Sequence, residues 1–400
     1  MKVPVRAILK PSRLSMIAVA ASFAAWKLPS FGVLQKGFDT PSRLDINSGL
    51  VLACWYLLIF ASFTVGEKTG ELAAFLKPRR IDQLIDLDSN LLYYAFSLVG
   101  ASGLMVMLVD IFRSFSWQEM ILYISLGEAN EFKEAWYADY SIGLISLRYV
   151  ILFSSSIALY RIFRSKDFSL INLVNVLMLA LLTFMSFRLI LIAATVATVF
   201  LLTFGRKSVR VSGIKIAALA GCLFLILSAL NISRNAAYYQ VNGLSFWQAG
   251  VSEIDAYLGT PFQVALGAAP FSDQLAAGGV GAIGGEEPYR LYVDIQQSYM
   301  TNSAFVHMHQ QHGYLCWPYI AAICCFMGFL FESLASIGKT MFLLPCGAIL
   351  YGSAELWRLD LYEQGTFAVW MIVGIGLPAF MLFAKHLLRF VARLYHAPLP

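Results

Sequence analysis

LINLVNVLMLALLTFMSFRLILIAATVATVFLLTF, residues 170–204, carries a single charge, Arg188, in 35 residues. As one helix it would be about 52 Å long at a 1.5 Å rise, whereas about 20 residues cross the roughly 30 Å hydrocarbon core of a bilayer. Basic residues flank it on both sides: Arg161, Arg164 and Lys166 before, and Arg206, Lys207, Arg210 and Lys215 after. Basic loops stay on the cytoplasmic side, so the stretch must go out and return. The reversal falls at Met185-Ser186-Phe187-Arg188 and puts Arg188 at the outer membrane–water boundary with almost no loop around it.

The rest of the chain extends this reading. Of its 400 residues 59% are hydrophobic and 13% charged, and the mean hydropathy is +0.68. Soluble domains carry about 25% charged residues, so most of this chain belongs in lipid. The expected fold class is all-α, a polytopic integral membrane helix bundle forming a single domain over 1–400. About ten transmembrane helices are expected, near 14–34, 48–66, 91–112, 141–160, 169–185, 188–204, 214–231, 314–333, 340–354 and 366–388. Lys27 and Pro29 interrupt the first, whose basic start and small residues also fit a signal peptide.

Basic clusters at 2–13, 68–80, 161–166, 206–215, Lys339 and 385–393 hold 19 of the 29 lysines and arginines, one cluster in every second loop. Ten spans with both termini cytoplasmic satisfy that alternation. The six cysteines show no CxxC spacing and sit mostly within apolar runs (Cys54, Cys222, Cys324, Cys325, Cys346). They read as small buried thiols, not as a disulfide or zinc framework.

Two substantial segments fall outside. One is 113–140, with Glu119, Glu128, Glu131, Glu134 and Asp139; the other is a large periplasmic loop, 232–313. Within the second, Leu244 to Leu258 is aromatic and amphipathic and suits a helix lying on the membrane surface. GGVGAIGG, 278–285, lacks the Lys-Ser/Thr of a P-loop and reads as a linker or lid hinge. Asp86-Leu87-Asp88 has the D-x-D form of metal-dependent sugar transferases but lies in a short cytoplasmic loop with no room for a nucleotide-sugar domain.

Ten lysines and arginines lie outside the basic loops: Lys27, Lys36, Arg43, Arg113, Lys133, Arg148, Arg188, Arg234, Arg290 and Arg358. An arginine at the edge of hydrocarbon snorkels to headgroups or faces a cavity. Arg188, Arg234 in SRNAAYYQ and Arg290 in PYRLY are the leading cavity candidates. A guanidinium pairs bidentately with phosphate oxygens, and a lipid diphosphate presents such oxygens at this depth. Arginines could neutralise a departing diphosphate without a metal.

TNSAFVHMHQQHGYLCW, 301–317, holds three of the five histidines at the mouth of an apolar run. If 303–331 is one helix, Phe305, His309, His312 and Cys316 share a face, while His307 diverges from His309 by about 200°. The H-x-H pair therefore does not chelate one metal, and no metal site is expected. The histidines mark the lipid boundary, or His309 and His312 accept a proton or bind phosphate in a cavity.

Three motifs together resemble the Wzy-type family of O-antigen and oligosaccharide repeat-unit polymerases. They are FMSFRLILIAATVATVFLLT (184–203), YLGTPF (257–262), and SYMTNSAF (298–305) followed by Gln311-His312-Gly313. His312 stands where the family more often has an acidic or aromatic residue. The related O-antigen ligases typically carry a His before the motif's Asn, where this chain has Thr301. The resemblance implies inverting, metal-independent glycosyl transfer, with no cofactor, on the periplasmic face of the bacterial inner membrane. The growing chain would pass from undecaprenyl diphosphate to a lipid-linked oligosaccharide repeat. A chain-length regulator and a repeat-unit flippase are the implied partners, and no nucleic acid is involved. Arg188, Arg234, His309 and His312 are the expected catalytic residues. Arg290, Glu253, Asp255, Tyr257 and Asn302 are expected to bind substrate, and the base is one of His309, His312, Glu253 and Asp255. A ligase-like transferase or a lipid-linked oligosaccharide flippase is the alternative.

Overall fold

The computed structural model describes residues 8–32, 37–38, 40–42, 44–75, 90–125, 136, 143–185, 188–204, 221, 224–226, 228–229, 243–277, 293, 295, 303–337 and 340–396. The described residues are helical and turn segments with no strand. The helices are α1 (Pro11–Lys27), α2 (Ile46–Phe75), α3 (Asn90–Ser114), α4 (Trp117–Ser125), α5 (Ile151–Ser165), α6 (Leu170–Phe184) and α7 (Arg188–Phe204). They continue with α8 (Phe246–Ala268), α9 (Ser272–Ala277), α10 (Ala304–His312), α11 (Cys316–Ser336), α12 (Thr340–Glu355) and α13 (Gly365–His396). A 3-10 turn, Leu144–Val150, leads into α5.

Among the described residues, six helical segments are long and apolar enough to cross a membrane: Pro11–Phe31, Ile46–Ala73, Asn90–Ser114, Leu144–Ser165, Ala304–Ser336 and Gly365–Ala384. Three shorter apolar helices accompany them, Leu170–Phe184, Leu189–Phe204 and Met341–Glu355. Large apolar side chains face outward all round the bundle, among them Leu57, Leu98, Leu177, Ile372 and Phe380. Such a girdle is unfavourable in water and natural in lipid. The chain is a helical membrane protein.

The 170–204 stretch is two helices, α6 and α7, which pack on each other and on α5. Residues 186–187 lie outside the described set. The helix over Leu244–Leu258 differs from expectation. It runs further, Phe246–Ala268, with a capping box at Ser245 and Gln248. Phe246, Trp247 and Val251 are exposed, but Gly259 to Leu266 are all buried, because Gly259 lets the backbone of α1 approach at Trp26. It is an integral packing helix, not one lying on the surface.

The strongest packing is between α2 and α11, which run parallel. A Cβ on Gly66 would lie 2.0 Å from the Cys325 carbonyl oxygen, one on Gly70 2.7 Å from that of Phe329, and one on Gly328 2.6 Å from that of Phe63. Gly66-x-x-x-Gly70 is a small-residue seam of the kind that lets helices in lipid pack backbone to backbone. Antiparallel α1 is tied to the same pair: the Glu67 carboxylate accepts from the Ser12 backbone N–H at 2.8 Å and from its hydroxyl at 2.9 Å. Lys10 Nζ bridges Glu71 at 2.7 Å and Glu332 at 2.8 Å.

A second unit forms around α3. Gly103 admits the backbone of Arg148, and the Tyr93 hydroxyl donates to Asn172 Oδ1 at 2.8 Å. Asn175 Nδ2 donates to Ser97 Oγ at 2.9 Å, so α3 and α6 run parallel. Arg148 is fully buried, its guanidinium donating to the Ile145 carbonyl at 2.9 Å and to the Tyr149 hydroxyl at 3.0 Å. This arginine is thus a packed interior group and does not snorkel.

Candidate functional site

The segment 303–331 is not one continuous helix. Ser303 caps α10 by accepting from the Val306 N–H. At Gly313, φ is +55° and ψ −135°, a left-handed backbone that ends α10 before a 3-10 turn (Gly313–Leu315) and α11. The break takes Cys316 into α11 and out of the helix that carries both histidines, and within α10 the two rings meet different partners. His309 is buried at 2% exposure, its Nδ1 lies 2.7 Å from the Phe305 carbonyl, and its ring packs among Phe305, Trp55 and Trp317. His312 turns elsewhere. Its Nε2 lies 2.5 Å from Glu363 Oε1, and Tyr319 stacks on the ring at 4.0 Å between centroids.

Glu363 comes from the turn between α12 and α13. α12 is only 16 residues long, and the turn after it carries Arg358, Asp360 and Glu363. That turn folds back against the bundle: Tyr362 packs on Phe63, and its hydroxyl donates to the Ile349 carbonyl at 3.1 Å. Asp360 caps it by accepting from the Tyr362 N–H at 2.9 Å. Burial pushes the Asp360 carboxyl up to about 7.

A second cluster joins α8 to the end of α12. The Tyr257 hydroxyl meets both oxygens of Glu355, at 3.0 and 3.1 Å. Arg358 donates to Glu355 Oε2 from Nε at 3.0 Å and Nη2 at 2.8 Å, with its guanidinium 4.6 Å from the Tyr257 ring centroid. Trp357 meets Tyr257 edge-on. Tyr257, expected to bind substrate, here meets an internal ion pair. Glu253 and Asp255 are buried, which leaves neither carboxylate open to a hydroxyl arriving from outside. Both Asp255 oxygens lack a hydrogen-bond partner among the described residues, and burial pushes this carboxyl up to about 7.

Of the remaining expected residues, Arg234, Arg290 and Asn302 lie outside the described residues, as do Asp86, Asp88 and 278–285. Arg188 opens α7, and its backbone position is defined. Gly347 of α12 abuts Ala197, and Phe331 touches both Phe200 and Cys346, so α7 and α12 are antiparallel. The start of α7 therefore lies at the same end of the bundle as Glu355. Among the described residues, no three His, Cys, Asp or Glu side chains gather to hold a metal.

Glu355, Asp360 and Glu363 were not among the expected site residues, and Arg358 was only one of ten isolated cations. The legible signal was there in ELWRLDLYE, 355–363, four charges in the short turn between two apolar runs. No protein-family model matches the chain, and neither does any curated protein or solved structure.

Proposed function

We propose that the chain is a membrane glycosyltransferase of the repeat-unit polymerase type, acting on lipid-diphosphate-linked oligosaccharides at the outer face of the bacterial inner membrane. The observation that carries this reading is the charge at one end of the bundle. The start of α7 with Arg188, the Glu355–Arg358 pair that Tyr257 meets from the middle of α8, and the His312–Glu363 pair lie at the end of the bundle that the alternation of basic loops assigns to the outside. The opposite end carries Lys10 and leads into the basic loops. Helix direction supports the same topology. α7 and α11 run the same way, the direction that the expected alternation gives to both.

In this reading Arg188 binds the diphosphate. The anomeric C–O bond to the diphosphate breaks, its electron pair leaves with the phosphate, and the acceptor hydroxyl oxygen takes its place on the carbon after losing its proton to a base. Two parallel hydrogen bonds from one guanidinium strengthen as charge builds on the leaving group. Lysine keeps the charge and loses the fork. Arg188→Lys should therefore insert normally and polymerise about 100- to 1000-fold more slowly. The assay is conversion of lipid-linked repeats to polymer in a deletion strain complemented by each variant. Wild-type polymer from Arg188→Lys would remove the diphosphate-clamp role.

A further inference from the structure

We propose that His312 is the base for the acceptor hydroxyl and that Glu363 is the positioning residue that makes it one, an assignment that rests on the glycosyl-transfer reading above. Four side chains compete for the role, and access separates them. His309 is 2% exposed and commits Nδ1–H to the Phe305 carbonyl, leaving only an edge packed among aromatic rings. Glu253 and Asp255 are buried. The His312 side chain is 27% exposed, at the point where the left-handed Gly313 ends α10.

Its surroundings define one reactive edge. A carboxylate only accepts hydrogen bonds, so the contact with Glu363 fixes the proton of the neutral ring on Nε2. Tyr319 covers a ring face, its ring centroid 4.0 Å from that of the imidazole. Nδ1 is left with its lone pair and, among the described residues, without a partner. In the reaction the hydroxyl proton moves to Nδ1, the freed oxygen bonds to the anomeric carbon, and the electron pair of the broken bond leaves on the diphosphate. The imidazolium formed is stabilised by Glu363, the division of labour in histidine–carboxylate catalysis generally.

Glu363→Gln discriminates sharply, because an amide of the same shape can donate to Nε2 and so move the ring proton to Nδ1. The full-length protein in lipid nanodiscs, labelled with 15N-histidine, gives five ring systems to follow, and His312→Ala assigns the one of interest. Wild type should show neutral His312 protonated on Nε2, and Glu363→Gln should show it protonated on Nδ1. Polymerisation should fall on the order of 1000-fold in Glu363→Gln and in His312→Ala. Glu363→Asp should restore the tautomer and activity to within about tenfold of wild type. A wild-type protein that polymerises while Glu363→Gln or His312→Ala does so equally well overturns the base assignment alone. A wild-type protein that elongates no lipid-linked repeat overturns the glycosyl-transfer reading and the base role with it, while the tautomer still reports the pairing.

Discussion

The two ends of the bundle use the same ingredients for different purposes. At the Lys10 end, α1, α2 and α11 are clasped: Lys10 bridges two glutamates, and Glu67 closes on the first turn of α1. Lys10 faces two carboxylates on neighbouring helices, and Glu67 occupies a helix N-terminus, where a carboxylate is favoured by the unpaired N–H groups. At the His312 end the pairing is incomplete. Glu355 and Arg358 are mutually satisfied, but Asp255 is buried without a partner among the described residues and Asp360 keeps one oxygen unpaired. His312 is paired on one nitrogen only. An end that merely seals the bundle has no reason to bury unpaired carboxylates, which cost free energy. Paired groups there read as structure, and unpaired ones as a site.

The largest expected effect comes from breaking the clasped end. Gly66→Leu puts a side chain where the Cys325 carbonyl is 2.0 Å from the Cβ position, and backbone cannot step aside as a side chain can. α2 and α11 must separate, and the seam, Glu67 and Lys10 go with them. Gly376, whose Cβ position meets no atom within 4 Å, supplies the control. Gly66→Leu should yield no monodisperse protein by size-exclusion chromatography in detergent. Gly376→Ala should elute as wild type, since alanine favours a helix over glycine by about 1 kcal/mol. A folded Gly66→Leu would mean that the parallel seam does not hold the clasped end together.

The next experiment weighs the ends against each other. The Glu355 side chain is 7% exposed, and its loss leaves Arg358 and Tyr257 without their acceptor. Removing one member of a buried pair costs about 3–5 kcal/mol. Lys10 is 28% exposed and one of its partners, Glu71, is largely in solvent, which limits Lys10→Met to about 1 kcal/mol. Denaturation followed by tryptophan fluorescence should rank Glu355→Ala well below Lys10→Met. The reverse order would make the clasped end the energetic centre and the Glu355 cluster peripheral.

How far the sequence anticipated this contrast depends on the kind of signal. The α6–α7 hairpin was legible because hydrocarbon thickness and two basic flanks leave one solution for 35 apolar residues. Composition sufficed for the all-helical membrane class. The His312–Glu363 pair was not legible, since 51 residues separate its members and periodicity along α10 says nothing of the turn between α12 and α13. Nor was the burial of Glu253 and Asp255 or the pairing of Tyr257 with Glu355, because an amphipathic pattern cannot say whether its polar face meets water or another helix. Gly66-x-x-x-Gly70 could have been noticed, although the pattern alone names no partner.

Asp255 gives the smallest effect and the sharpest test of whether the His312 end holds unpaired groups. Burial raises its folded pKa from 3.8 to about 7. Between those values the folded protein holds a proton that the unfolded chain has released, so the folded state binds more protons and stability must fall as pH rises. The loss begins near pH 4 and levels off above about pH 7, where both states are ionised. Each pH unit inside the window is worth up to 1.36 kcal/mol, which gives about 2 kcal/mol between pH 5 and 7. Asp255→Asn carries no charge in either state and removes this slope, whatever constant offset its amide brings. The difference in stability between variant and wild type should therefore grow in the variant's favour from pH 5 to 7 and then stay level. Unfolding midpoints of both proteins in nanodiscs across that range give the answer directly. A difference independent of pH would mean that Asp255 is ionised and partnered in the folded protein, and the contrast between the two ends would then rest on His312 and Asp360 alone.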